Sequence, residues 1–330
     1  MARTRYASDP GLIARMGLTM FLLGAVLTGF VIALYFVLFA YANRHGGASG
    51  SSDGLVVFVV LIGLAIAFGG YWWSDKIALR TARAQLVTPQ QAPELHQIID
   101  RICALANMPK PRVAISPSGM PNAFATGRSS KVAVICVTQG ILQRLDAKEL
   151  EGVLAHEMSH VAHKDVAVMT IASFLGIVAA LLVRMGFYAE LFGGGRGRGG
   201  GRGGANAGGG YTALIMLGVM AVGIVTYAIS FLLIRMLSRY RELSADRSGA
   251  LLTGQPSALA SALVKVTGDM AKIPTRDLRQ AEPLNAFYFA PAISGRRGET
   301  SLSNLFSTHP SLDKRLAQLN KIAKQLNQAG

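Results

Sequence analysis

Four long runs without a charged residue dominate the pattern of this chain: Leu18–Tyr41, Leu55–Trp73, Val166–Val183 and Tyr211–Ile234. At ~1.5 Å per residue, a helix over the first run reaches ~36 Å, enough to cross a bilayer with tilt. The other runs are of similar kind, so the pattern predicts four membrane helices arranged as two hairpins. A buried core helix is the alternative for each run, and a cleaved signal peptide for the first, since Ala40-Tyr41-Ala42 resembles a small-residue cleavage site. That run is far longer than the apolar core of a signal peptide, so it reads as a retained anchor.

Between and after the runs the period becomes that of amphipathic elements. A helix is predicted over Ala92–Ala106, ended by Met108-Pro109-Lys110-Pro111. Arg112–Ser116 and Lys131–Val137 read as strands, with Ala123–Thr126 an edge strand falling between them in the sequence. A short helix over Gly140–Leu145 follows. Asp146 and Glu149 then form a capping-box signature, with Asp146 as N-cap and Glu149 three residues on. Leu150, Leu154, Met158 and Val161 recur at helical spacing, and His156, His160 and His163 make a separate stripe beside them. No Pro or Gly interrupts residues 153–170. The segment from Ser238 onward reads as largely helical and ends in an amphipathic helix over Ser311–Leu326. The expected organisation is a membrane hairpin over 1–74, a soluble segment over 75–165, a second hairpin over 166–237 and a soluble segment over 238–330. The fold class is an α-helical membrane protein carrying an α+β domain.

Composition changes this picture only by weighting it. Apolar residues make up 51% of the 330 and charged residues 15%, far from a soluble domain. The net charge of +15 is unevenly placed. Arg3, Arg5 and Arg15 precede the first run, Lys76, Arg80 and Arg83 follow the second, and Arg235, Arg239 and Arg241 follow the fourth. By the positive-inside rule both termini and the 75–165 segment face the cytoplasm, and the charge reads as topology and attraction to anionic lipid. Gly193–Gly210 is a Gly/Arg-rich stretch without interleaved aromatic residues, which suits a flexible linker and argues against nucleic-acid binding. Cys103 and Cys136 lack metal-ligand spacing and read as reduced structural thiols.

The chemistry lies in His156-Glu157-Met158-Ser159-His160. Two imidazoles at i and i+4 share a helix face and can reach one divalent cation, and the carboxylate between them can act on an attacking water. A catalytic zinc takes three protein ligands. Glu242 is the best third candidate, because a hairpin of the third and fourth runs returns the chain close to where the motif left it. A juxtamembrane charge paired with nearby arginines is the other reading of Glu242, and His163 is a second candidate ligand. Asp246 lies one turn beyond Glu242 and can accept a hydrogen bond from the outer nitrogen of a liganding histidine.

The HExxH helix, the Glu-x-x-x-Asp of Glu242 and Asp246 after a membrane hairpin, and Asn122-Ala123-Phe124-Ala125-Thr126-Gly127 resemble the HtpX family of heat-shock membrane proteases. Thr308-His309-Pro310 with Arg315 resembles the same family's His-Pro segment and following arginine. The family is related to the CAAX prenyl endopeptidases. The Gly/Arg-rich stretch and a diverged C-terminal segment depart from the family pattern. The resemblance implies a zincin-like metallopeptidase domain and a zinc-dependent endopeptidase of the bacterial cytoplasmic membrane, acting on misfolded membrane proteins. It implies one Zn²⁺ on His156, His160 and Glu242, with Glu157 as the catalytic residue. His309 is then the candidate donor to the oxyanion and Arg315 a weaker one, with packing at a helix start the alternative for His309. Asn122 and Ala123 are candidates to pair with an extended substrate, a turn role being the alternative for Asn122. A zinc-holding scaffold without activity and an enzyme of prenylated C-termini are the competing functions.

Overall fold

The computed structural model describes residues 10–44, 61–62, 64–66, 68–193, 207–270 and 309–329. Residues 45–53, most of the Gly/Arg-rich stretch, the start of the second apolar run and residues 271–308, Thr308 among them, lie outside these. In chain order the described elements begin with α1 (Pro10–Arg44), α2 (Ser74–Thr81), β1 (Gln85–Leu86), α3 (Pro93–Ala106), β2 (Arg112–Ser116), β3 (Ala123–Thr126) and β4 (Val134–Thr138). There follow α4 (Gln139–Arg144), α5 (Ala147–Ala162), α6 (Asp165–Gly193), α7 (Ala207–Thr253), α8 (Pro256–Met270) and α9 (Leu312–Ala329).

Two compact units emerge. One comprises residues 18–69 and 170–234 and holds the apolar helices. Its outward surface is apolar: Phe21 is 71% exposed and Ile171 65%, and Leu217 and Ile224 are also exposed. Such a surface suits hydrocarbon and not water. Among the described residues two helices are long and apolar enough to cross a membrane, over Ile13–Phe30 and Met220–Thr253. A third candidate arises if α5 and α6 are counted as one broken span. The four-span expectation is therefore met by two or three, with the second run only partly described.

The other unit joins residues 1–17, 70–169 and 235–330, and so brings the two soluble segments together. Its sheet has the order β1-β2-β4-β3, with β2 and β4 parallel and β3 antiparallel to β4. The last strand begins at Val134, not Lys131, because residues 129–132 form a turn closed by the Val132 N–H donating to Ser129 O at 3.1 Å. Gly127 allows that turn with φ +119°, a conformation closed to ordinary side chains. Strand β1, only two residues long, carries no periodicity that a sequence could reveal.

Sheet alternation explains the packing. Val113, Ala123, Ile135 and Val137 face the main core, where Ile99, Ile102, Leu154, Met158, Leu259 and Leu263 are buried. Ala114, Phe124, Val134 and Cys136 face the other way, against Ala78 of α2. Helix α5 therefore lies on the sheet with α3 and α8 packed against it, and α9 packs on α8. The two cysteines are free and buried.

Candidate metal centre

Helix α5 starts at the capping box expected from the sequence. Asp146 accepts from the Glu149 N–H at 2.9 Å, and the Glu149 carboxylate accepts from the Asp146 N–H at 3.0 Å. The Glu149 carboxylate also takes hydrogen bonds from the Ser261 hydroxyl at 2.6 Å and the Lys265 ammonium at 2.7 Å. One side chain thus caps α5 and fastens it to α8. The helix ends at Ala162, with His163 as its C-cap and Lys164 at φ +57°. His163 is accordingly a helix-end residue, and the HExxH motif occupies the last turns of α5.

His156 and His160 project from one face of α5, their rings edge to face with centroids 5.0 Å apart. The 47-residue helix α7 brings Glu242 to them: its Oε2 lies 3.6 Å from His156 Nε2, and its Oε1 3.5 Å from His160 Nε2. Ligand atoms of the three residues all fall within 4.8 Å of one another. Metal–ligand bonds of about 2.0–2.1 Å at tetrahedral angles set such atoms ~3.3 Å apart, so two imidazoles and a carboxylate fit a divalent cation here. This close approach depends on Gly249. A Cβ at that position would stand 2.9 Å from His156 N and 3.1 Å from its Cα, a backbone clash that only glycine avoids.

Each histidine is steadied from behind. Asp246 Oδ1 lies 2.9 Å from His156 Nδ1, the contact expected of it. Asp165 Oδ2 lies 2.5 Å from His160 Nδ1. These carboxylates fix the ring orientation and leave Nε2 of each histidine facing Glu242. Each is in turn held by an arginine. Arg315 grips Asp246 through Nε at 2.7 Å and Nη2 at 2.6 Å, and Arg241 Nη2 lies 2.9 Å from Asp165. The sequence marks neither Asp165 nor Arg241 as part of the site, and Arg241 reads there as one of the arginines that orient the membrane helices. The signal available was an aspartate just beyond the motif, with nothing to say that the chain turns back there.

Arg315, expected beside a substrate, is 1% exposed and is spent on Asp246, with Nη1 3.8 Å from Glu242 Oε2. His309 is buried and its Nδ1 lies 3.2 Å from Glu242 Oε2, so it does join the cluster. Glu157 stands beside the three, Oε1 at 4.0 Å from His156 Nε2 and Oε2 accepting from the Ala125 N–H at 3.2 Å. Ala123 and Ala125 belong to the edge strand β3. Asn122 is buried, its carbonyl accepting from the Thr138 N–H at 2.9 Å and its own N–H donating to the Thr138 hydroxyl at 2.9 Å. Its backbone is thereby anchored against β4 just before β3.

Electrostatics suit proton chemistry. Burial pushes the Glu157 carboxyl above its ordinary range, while His156 and His160 pull it back only partly. Burial alone lowers His156, but its hydrogen bonds to Asp246 and Glu242 outweigh that and carry it up to about 9.

A His/His/Glu cluster in which His156 and Glu242 are buried, with an adjacent glutamate, on an α+β domain of a chain that also carries apolar helices, defines a membrane metalloprotease. The chain belongs to peptidase family M48, whose profile matches residues 89–323. It is 52% identical to Protease HtpX homolog 1 of Streptomyces coelicolor over 99% of this chain and 98% of that one. It is 46% identical to Protease HtpX homolog of Moorella thermoacetica over 99% of both. A crystal structure of S. mikatae Ste24p shares the fold at TM-score 0.51 and 15% identity, covering 94% of this chain and 67% of that one.

Proposed function

We propose that this protein is a zinc-dependent endopeptidase of the bacterial cytoplasmic membrane, with its active site and both termini on the cytoplasmic side, that cleaves misfolded or damaged membrane proteins. The observation that carries the reading is the Glu157 carboxylate, held by Ala125 N–H beside the cluster of His156, His160 and Glu242. Two imidazoles and one carboxylate are a donor set suited to catalytic zinc. Zinc held there supplies Lewis acidity toward a carbonyl and a more acidic water.

The remaining work falls to the chain. Glu157, its basicity raised by burial, takes the proton of the attacking water and returns it to the leaving amine. Asp246 and Asp165 keep the imidazoles oriented so that their Nε2 atoms serve as ligands. The edge strand β3 offers Ala123 as a backbone partner for an extended polypeptide, which places a scissile bond next to the residue that Ala125 orients. His309, beside Glu242, is the donor to the developing oxyanion.

Quality control is the biological role that best fits an unselective backbone-binding edge in a chain that also carries membrane helices. The test uses purified full-length protein in proteoliposomes, with metal content and cleavage of an unfolded membrane protein both measured. Glu157→Gln should keep about one zinc per chain and lose cleavage by ~10²–10⁴-fold. Glu242→Ala should lose both. Wild-type cleavage by Glu157→Gln would end this mechanism. Preference for a prenylated peptide over the unfolded protein would replace the substrate class.

A further inference from the structure

A second site lies within the α+β unit, between the start of α2 and the turn that follows β3. A cavity of about 310 Å³ is lined there by Trp72, Trp73, Lys76, Arg112, Arg128 and Lys131. Asp75 also lines it, but its carboxylate is occupied by Arg112 Nη2 at 2.7 Å. Three further cations, Lys76, Arg128 and Lys131, therefore line it without a matching acid among the described residues. Lys76 and Lys131 have no acidic partner among the described residues, and both are exposed. Arg128 stacks over the Trp72 ring at 4.2 Å, with the Tyr71 hydroxyl donating to its carbonyl at 3.3 Å. That stack presets the guanidinium, whose Nη1 also donates to the Trp72 carbonyl at 3.4 Å, and stacking leaves the remaining in-plane N–H groups available to an anion.

Position supplies the identity of the ligand. Tyr71, Trp72 and Trp73 close the Leu55–Trp73 run, and aromatic residues at such an end settle at headgroup depth. Trp72 and Trp73 are 45% and 52% exposed. Basic residues just beyond a cytoplasmic helix end are the elements of anionic-lipid recognition. We propose that this pocket binds the phosphate of an anionic phospholipid headgroup, with Arg128, Lys131 and Lys76 taking the phosphate oxygens and the indoles packing on the glycerol and upper chains. Arg128 directly follows Gly127 and β3, so the headgroup is fixed next to the strand that holds Glu157. The proposal rests on the membrane reading of the apolar runs and is independent of proteolysis.

Trp72 and Trp73 are the only tryptophans in the chain, so intrinsic fluorescence reports on this pocket alone. Full-length protein is placed in phosphatidylcholine nanodiscs doped with brominated phosphatidylglycerol or, in parallel, brominated phosphatidylcholine. Phosphatidylglycerol should quench more at equal mole fraction, and saturably. Lys76→Gln/Lys131→Gln, which leaves the Arg128 stack intact, should weaken that excess about thirtyfold, at roughly 1 kcal/mol for each lysine. Lys321→Gln/Lys324→Gln, on α9, should keep it. Equal quenching by the two lipids, an undiminished excess in the first variant, or equal loss in the second would each overturn the proposal. Millimolar inorganic phosphate should leave the excess in place; if it erases it, the site takes free phosphate and the lipid assignment fails.

Discussion

At the scale of single residues, the site is a set of paired charges in which each histidine answers to a carboxylate and each carboxylate to an arginine. The two halves differ in burial, and that separates their mutational consequences. Asp246 is 0% exposed and carries Arg315 with it. Asp246→Asn should weaken metal affinity about 10–100-fold. It should also destabilise the domain by ~3–5 kcal/mol, because Arg315 is left buried without its counter-ion. Asp165→Asn should produce a similar loss of affinity with a smaller loss of stability, since the Arg241 side chain retains 12% exposure. Metal titration and chemical denaturation of both variants check this; equal destabilisation would contradict the assignment of burial as the cause. Much of this layer was legible in advance. His156, Glu157 and His160 are local in sequence, and Asp246 follows Glu242 by one helical turn. Asp165 and Arg241 were not legible, since their pairing depends on where a helix after the motif meets one arriving from far along the chain.

At the scale of elements, two contacts decide where α5 sits. One is the Gly249 crossing. Gly249→Ala inserts a methyl group 2.9 Å from the His156 backbone nitrogen, so α5 and α7 must separate. The expected result is roughly a 10²-fold loss of proteolytic kcat/KM with unchanged helix content by circular dichroism. Normal activity in this variant would show that the crossing has slack. The other contact is Glu149 with Ser261 and Lys265. Burial raises that carboxyl, but the Lys265 and Ser261 hydrogen bonds outweigh it, and its pKa falls below the ordinary 4.5. A lowered folded-state value means that the stabilisation is complete above 4.5 and is lost as the pH falls through the folded value. The stability gap between wild type and Glu149→Gln should therefore be full near neutrality and shrink below pH 4.5. A gap independent of pH would rule out the ion pair as its source. The capping box behind this residue was visible in the sequence as Asp146 and Glu149; the link to α8 was not, because nothing local couples residue 149 to residues 261 and 265.

At the scale of the whole molecule, the two soluble segments form one unit with a shared core. Burial raises Cys103 to about 11 and Cys136 to about 12, so neither thiol reacts readily while that core is closed. Maleimide labelling near neutral pH, read by mass spectrometry, should be slow at both and slowest at Cys136, which is fully buried. Both should label together when the unit unfolds. Rapid labelling of Cys136 in the folded protein would place that strand elsewhere. By itself the sequence determined the features that local chemistry dictates: uncharged runs long enough for a bilayer, helix α5 with its cap, and two imidazoles on one face with a glutamate between them. Only the tertiary structure decided that α7 passes close enough at Gly249 to set Glu242 between those imidazoles, that Arg315 is buried on Asp246, and that Asp165 secures His160. Periodicity and capping act within a few residues and are written in order along the chain. A meeting of distant segments depends on how whole elements pack, and no run of neighbouring residues records it.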